Sequence, residues 1–276
     1  MPKINYGMII SDFDGTLVKD DGTVSQINKQ AISKYIENGG IFAISTGRLP
    51  AGIVSRAKEL GLKGVVSCCQ GSVILDIQTE ELFLNGGIPN AIAVKICEKM
   101  EEMGLHIHVY GLWSYYSNMD DEPLKWYENI VKHKAELVTD KPISTFVKEN
   151  GLDVCKILAI VAPSDNEKVR EELKRMEFEG CSVTKSSEYL VEVLNENYSK
   201  GTAVEFLAKR YNIPIEKVIG VGDQSNDVSM IQTAGLGVAV KNASESLKAE
   251  ADYVCEYTNE EHAIARIIEK FGYTEE

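Results

Sequence analysis

Short apolar runs recur at both ends of the chain, each closed by a polar or glycine-bearing cluster and followed by an amphipathic stripe of helical period. This alternation limits the possible folds more than any other feature. Gly7-Met8-Ile9-Ile10 is the first run and ends at Asp12-Phe13-Asp14-Gly15-Thr16. Ile27, Ala31, Ile32, Tyr35 and Ile36 then share one helical face, which stops at Gly39-Gly40. A second strand, Ile41-Phe42-Ala43-Ile44-Ser45, is closed by Thr46-Gly47-Arg48. Ile53, Ala57 and Leu60 mark a second helix, and Gly64-Val65-Val66-Ser67 a third strand. Near the carboxyl end a stripe of Ala203, Val204, Leu207 and Ala208 precedes the strand Val218-Ile219-Gly220-Val221, closed by Gly222-Asp223. Shorter runs at Gly237-Val238-Ala239-Val240 and Tyr253-Val254-Cys255 follow, then a helix through Ile264, Ile267, Ile268 and Phe271. Strands alternating with helices predict a parallel sheet covered on its faces, so the two ends of the chain are paired into one α/β sheet.

The intervening residues are enough for a second domain. A discontinuous core is expected over 1–85 and 190–276, with an inserted α+β domain over 86–189. The insert carries helices near 89–103 and 166–178 and strands near 106–110 and 156–161. Its edges, Asn85-Gly86-Gly87 and Ser186-Ser187-Glu188, have the Gly and Ser content of hinge-like connections.

In extended backbone, residues two apart point to the same side, so Asp12 and Asp14 can face one pocket while Phe13 packs the other way. One carboxylate can then attack while its neighbour moves a proton; the same pair also suits a turn or a solvated strand edge. Four polar clusters lie at strand ends or helix starts: Asp12/Asp14, Thr46-Gly47-Arg48, Lys200-Gly201 and Gly222-Asp223-Gln224-Ser225-Asn226-Asp227. Open parallel sheets place ligands at that edge. Taken singly, each cluster has a structural reading. Thr46-Gly47 and Asn226-Asp227 suit helix caps, Lys200 a solvated helix start, and Arg48 a partner for a surface acid.

The 276 residues are 44% hydrophobic and 26% charged, with no run of eighteen apolar residues to span a membrane. The first residues lack an apolar stretch with a cleavage site, and six cysteines show no Cys-x-x-Cys spacing. Both point to an unexported, cytoplasmic protein with reduced thiols. A net charge of −13 without a basic stripe argues against nucleic-acid binding, while local Lys side chains, backbone N–H groups and a metal ion can still hold a small phosphate. A monomer or weak homodimer is expected.

The order and spacing of the four clusters resemble the haloacid dehalogenase-like (HAD) phosphohydrolases, and within them the Cof-type, subfamily IIB branch. The resemblance runs over nearly the whole chain. It is carried most specifically by the apolar run before Asp12-x-Asp14-Gly15-Thr16 and by Gly222-Asp223-x-x-Asn226-Asp227-x-x-Met230. It implies a Rossmann-like parallel-sheet core with an inserted α+β cap of the C2B type, and a Mg²⁺-dependent phosphatase acting on a small phosphorylated metabolite such as a sugar phosphate. It further implies Asp12 as nucleophile forming an aspartyl-phosphate, and Asp14 as the acid and then the base. Asp12, the Asp14 backbone carbonyl and Asp223 match the family's Mg²⁺ ligands. Thr46 offers its hydroxyl and backbone N–H to the phosphoryl oxygens, with Gly47, Lys200 and Asn226 completing the phosphate site. Asp227, oriented toward Lys200 or metal-bound water, and Arg48 lie one layer out.

Two stretches depart from the branch's pattern. Cys69-Gln70-Gly71-Ser72 stands where Asn-Gly-Ala is common, and Glu261-His262-Ala263 where Asp-Gly-Val is common; the first lies at the core-to-cap passage and puts in doubt a substrate inferred from close relatives. In the cap, Trp113, Tyr115 and Tyr116 suit packing or a stacking wall, and His106 and His108 share one strand face; Lys156, Lys185 and Ser187 are further candidate contacts. Phosphotransfer or mutase chemistry, and a non-catalytic phosphometabolite sensor, are the alternatives.

Overall fold

The computed structural model describes residues 3–131 and 133–274. They divide into two compact units. One comprises Met1–Arg48, Ile53–Leu84 and Tyr198–Glu276; the other comprises Leu49–Gly52 and Asn85–Asn197.

The first unit opens with β1 (Met8–Asp12), every residue of which is buried. Helix α1 (Gln26–Glu37) starts at Ser25, whose hydroxyl accepts from the Asn28 amide at 3.1 Å and so satisfies one of the unpaired donors of the first turn. Then come β2 (Ile41–Ser45), α2 (Pro50–Glu59) and β3 (Val65–Cys68). A single 3₁₀ turn at Cys69–Gly71 reverses the chain into β4 (Val73–Asp76), antiparallel to β3, and β5 (Leu82–Asn85) follows.

The second unit contains α3 (Asn90–Glu102), β6 (His106–Tyr110), β7 (Tyr115–Ser117), α4 (Glu122–Val131), β8 (Glu136–Leu137), α5 (Ile143–Asn150), β9 (Lys156–Ile160), α6 (Asn166–Lys174), β10 (Cys181–Ser187) and β11 (Leu190–Asn195). Its six strands run in the order β10-β11-β9-β6-β7-β8, antiparallel except for the β7–β8 pair. Period-2 alternation gives this sheet an apolar face of Ile107, Val109, Ile157, Ala159, Val191 and Val193. Ile96 and Met100 of α3, Val147 of α5 and Leu173 of α6 close over that face. The intervening residues His106, His108 and Tyr110 are buried as well. Leu190–Asn195, expected to begin the returning core segment, is instead an inner strand of this sheet, with Val191 opposite Ala159 and Glu192 opposite Leu158. The return therefore comes after Asn195, whose side-chain amide donates to the carbonyls of Gly86 (3.2 Å) and Gly87 (2.9 Å). Incoming and outgoing segments of the second unit are tied together at that point.

The chain then re-enters the first sheet through α7 (Lys200–Arg210), β12 (Val218–Gly222), α8 (Val228–Thr233), β13 (Leu236–Ala239), α9 (Glu245–Glu250), β14 (Tyr253–Val254) and α10 (Ala263–Phe271). Strand order is β14-β13-β12-β1-β2-β3-β4-β5, parallel from β14 to β3. β1 thus lies in the middle, between β2 and β12, which is why its run is apolar without alternation. Met8, Ile10, Ala43 and Val218 pack under Val204, Leu207 and Met230.

Candidate active site

Register places the polar clusters. Asp12 of β1 pairs with Ser45 of β2, and Ser11 pairs with Val221 of β12, so Asp12, Thr46 and Asp223 emerge at the carboxyl ends of three adjacent parallel strands. Lys200 reaches the same place from the first turn of α7. That turn is fixed by a capping box, in which Ser199 Oγ accepts from the Thr202 amide (3.1 Å) and Thr202 Oγ1 accepts from the Ser199 amide (2.9 Å).

Lys200 is no solvated helix-start residue: its side chain is fully buried, and its ammonium donates to Asp12 Oδ1 and, at 2.5 Å, to Asp227 Oδ1. The other Asp227 oxygen accepts from the backbone amides of Asp223 (2.9 Å) and Gln224 (3.0 Å), so this carboxylate fixes both the lysine and the loop after β12. Residues 12, 200, 223 and 227 are thereby joined.

Thr46 departs in part from expectation. Its backbone N–H is spent on the Ser67 carbonyl at 2.8 Å, because the chain continues its pairing with β3 one residue past β2. The hydroxyl, which accepts from the Arg48 amide at 3.2 Å, keeps its hydrogen for donation. Asp14 is half-exposed and gripped by Arg48 in a two-bonded fork, Nε to Oδ2 and Nη2 to Oδ1, both 2.7 Å. The guanidinium also lies 5.6 Å from the Phe13 ring centre. The acid that Arg48 pairs with is therefore Asp14. Asn226 is exposed beside Asp227, in the short turn Ser225–Asp227.

Asp12, Asp223 and Asp227 each offer a carboxylate oxygen within 4.8 Å of the others, the one such acidic group among the described residues. Burial raises the Asp12 carboxyl to about 8, the Asp227 and Asp223 charges adding to the effect and the Lys200 ammonium opposing it. Burial likewise raises Asp223, against the Thr16 hydrogen bond. Burial works against the charge of Lys200, but Asp12 and Asp227 hold it above the ordinary lysine value. Three carboxylates facing one ammonium leave net negative charge in a dry place, to be balanced by protons or by a cation. The oxygen-only donor set suits a hard divalent ion such as Mg²⁺.

Two supporting residues escaped the sequence reading. Thr16 Oγ1 donates to Asp223 Oδ1 at 2.8 Å, and Asn242 Nδ2 donates to the Gly15 carbonyl at 2.8 Å, fixing the loop after β1. Gly15 has φ +78°, and a Cβ there would lie 2.6 Å from Asp223 Oδ2, so glycine is what lets the two loops close on each other. Only the Gly-Thr dipeptide hinted at this; partners more than 200 residues apart leave no local signal.

Residues 9–268 match the model of the haloacid dehalogenase-like hydrolases. Phosphatase YwpJ of Bacillus subtilis is 30% identical, the alignment covering 95% of this chain and 98% of YwpJ. The 5-amino-6-(5-phospho-D-ribitylamino)uracil phosphatase YcsE of the same organism is 28% identical over 96% of this chain and 95% of its own. The crystal structure of TM0651 from Thermotoga maritima superposes with a TM-score of 0.88 at 26% identity, covering 98% of both chains.

Proposed function

The chain belongs to the haloacid dehalogenase-like hydrolase family, and from that premise we propose that it is a Mg²⁺-dependent phosphatase of small phosphomonoesters that works through an aspartyl-phosphate on Asp12. The observation that carries this reading is the joining of Asp12, Lys200, Asp223 and Asp227 into one buried cluster at the carboxyl edge of the sheet.

Asp12, Asp223 and the Asp14 backbone carbonyl are the residues that would hold Mg²⁺; the ion, when bound, screens the charge of the phosphoryl group from the carboxylate that attacks it. Asp12 attacks phosphorus, forming the carboxyl–phosphate bond as the ester bond breaks, and the leaving alkoxide takes a proton from Asp14. Asp14, now a carboxylate, removes a proton from the water that hydrolyses the acyl-phosphate, which returns Asp12 and frees inorganic phosphate. Arg48 Nε and Nη2 each hold one Asp14 oxygen, and each oxygen keeps a lone pair with which to carry a proton. The Thr46 hydroxyl, the Gly47 loop and Asn226 bind the phosphoryl oxygens, and Lys200 aims Asp12 and opposes the burial that favours its protonation.

Substrates of this class include sugar phosphates, pyridoxal phosphate and the ribitylamino-uracil phosphate after which YcsE is named. Assaying phosphate release across such a panel, with Mg²⁺ and then with EDTA, tests the reading. Metal-dependent release without an added acceptor supports a phosphatase. Transfer only to a sugar acceptor would make the protein a phosphotransferase, and binding without turnover a sensor.

A further inference from the structure

The turn at Cys69–Gly71, where the sequence departs from the family pattern, belongs to none of the four clusters, yet it touches three of them. Its Cys69 and Gln70 amides donate to the carbonyls of Arg48 (3.0 Å) and Thr46 (3.2 Å), it packs on the start of α7, and Gln70 Oε1 accepts from Asn226 Nδ2 at 3.4 Å. A Cβ at Gly47 would lie 2.6 Å from Gln70 Nε2, so the carboxamide lies directly over the loop assigned to phosphate. With Oε1 turned to Asn226, the Nε2 donors take no partner among the described residues.

The backbone here is in an unfavourable conformation. Cys69 (φ +51°) and Gln70 (φ +58°) are consecutive left-handed residues, and neither is a glycine or asparagine. Strain of that kind persists where the surroundings fix it, and it gathers at sites of function. A side chain of little use at this position would be replaced at no cost by glycine, which the backbone prefers.

We propose that Gln70 is a substrate-contacting residue: its Nε2 donates to an oxygen of the bound phosphomonoester, and the left-handed turn is retained to hold it there. The inference rests on the phosphatase reading for its substrate, but its test does not depend on turnover. Gln70→Gly relieves the strain and removes the donor; Gln70→Met keeps the length of the side chain and the strain, and removes the donor without adding charge. The wild type and both variants are compared by thermal unfolding, with and without Mg²⁺ and orthovanadate, and by phosphate release.

Gln70→Gly is expected to unfold about 2–4 °C higher than the wild type. In both variants the vanadate-induced rise shrinks and kcat/KM falls about 10- to 100-fold, the weight of one hydrogen bond to a charged group. A Gln70→Met protein with wild-type vanadate response overturns the proposal. So does a Gln70→Gly protein that is less stable, since the side chain would then be packing. If the wild type responds to vanadate but releases no phosphate, the phosphatase reading fails while the role of Gln70 is still read from the shift. If the wild type does not respond at all, both fall.

Discussion

Lys200 is a buried ammonium between two carboxylates, and removing one member of such a group leaves charge with no compensation. Lys200→Ala is therefore expected to lose about 3–5 kcal/mol in urea unfolding without metal, along with phosphatase activity; wild-type stability would mean that the ammonium is not buried. Asp12 supplies a pH dependence of definite sign. Its folded pKa, about 8, lies above the ordinary 3.8, so the metal-free protein binds a proton there that the unfolded chain has lost, and stability declines as pH rises between those values. A divalent ion competes with that proton. Added Mg²⁺ should raise the unfolding temperature more at about pH 8.5 than at about pH 6, and an equal or reversed effect would place the ion elsewhere. Asp14→Asn is expected to slow the first step, phosphoryl transfer from alkyl phosphates to the enzyme, by about 10²- to 10⁴-fold in single-turnover measurements, with p-nitrophenyl phosphate less affected in that step because its leaving group needs no proton. An equal loss on both would remove proton transfer from Asp14. At this scale the residues that the structure joins at the sheet edge, Asp12, Lys200, Asp223 and Asp227, were legible as members of the four clusters, but their wiring was not. Spacing in the sequence carries neither the Arg48 fork on Asp14 nor the Thr16–Asp223 bond.

Among the elements, β6 carries a testable device. His106 Nε2 lies 3.0 Å from His108 Nε2 and from Ser117 Oγ, and His106 Nδ1 lies 3.1 Å from Asp121. Burial, aided by the His106 and Lys156 charges, pushes His108 down to about 3, so it stays neutral in the folded protein while the unfolded chain takes up a proton near 6.5. Stability conferred by the neutral ring is thus complete above pH 6.5 and lost as pH falls toward 3, at about 1.4 kcal/mol per unit. In urea unfolding between pH 6.5 and 5, His108→Phe should show a shallower decline than the wild type; parallel slopes would contradict the burial of this ring. The sequence had marked the two histidines as one polar strand face, without showing that β7 and α4 would bury it. Elements with strong period were legible: β1, β2, β3, β12 and the helices α1, α3, α7 and α10 all lie where the apolar spacing put them. β10 was not, because its Cys-Ser-Val-Thr-Lys-Ser-Ser is a polar edge strand whose place is set by pairing with β11. Both departures from the family pattern, Gln70 and His262, turned out to fall on left-handed backbone, a property no periodicity reveals.

For the whole molecule, the division into two units with separate cores suggests separate folding. With Asn195 tying the incoming and outgoing segments together at Gly86 and Gly87, residues 86–196 are expected to unfold cooperatively as an isolated fragment and to release no phosphate. A molten fragment would show that its core needs the rest of the chain. The discontinuous arrangement itself could be read from the sequence, since matching strand–helix patterns at both ends require a common sheet. The point of return could not, because Leu190–Asn195 has an alternation that suits either sheet and only the pairing with β9 decides it. The proposed reaction turns on a carboxylate oxygen of Asp12 becoming bonded to phosphorus. Its most direct test is to quench Asp14→Asn protein in acid during turnover of a phosphomonoester and to map the modified peptide by mass spectrometry. One phosphoryl group on Asp12, absent when Asp12→Asn is added, is the expected result; phosphate release from the wild type with no phosphorylated Asp12 in any quenched sample would contradict it.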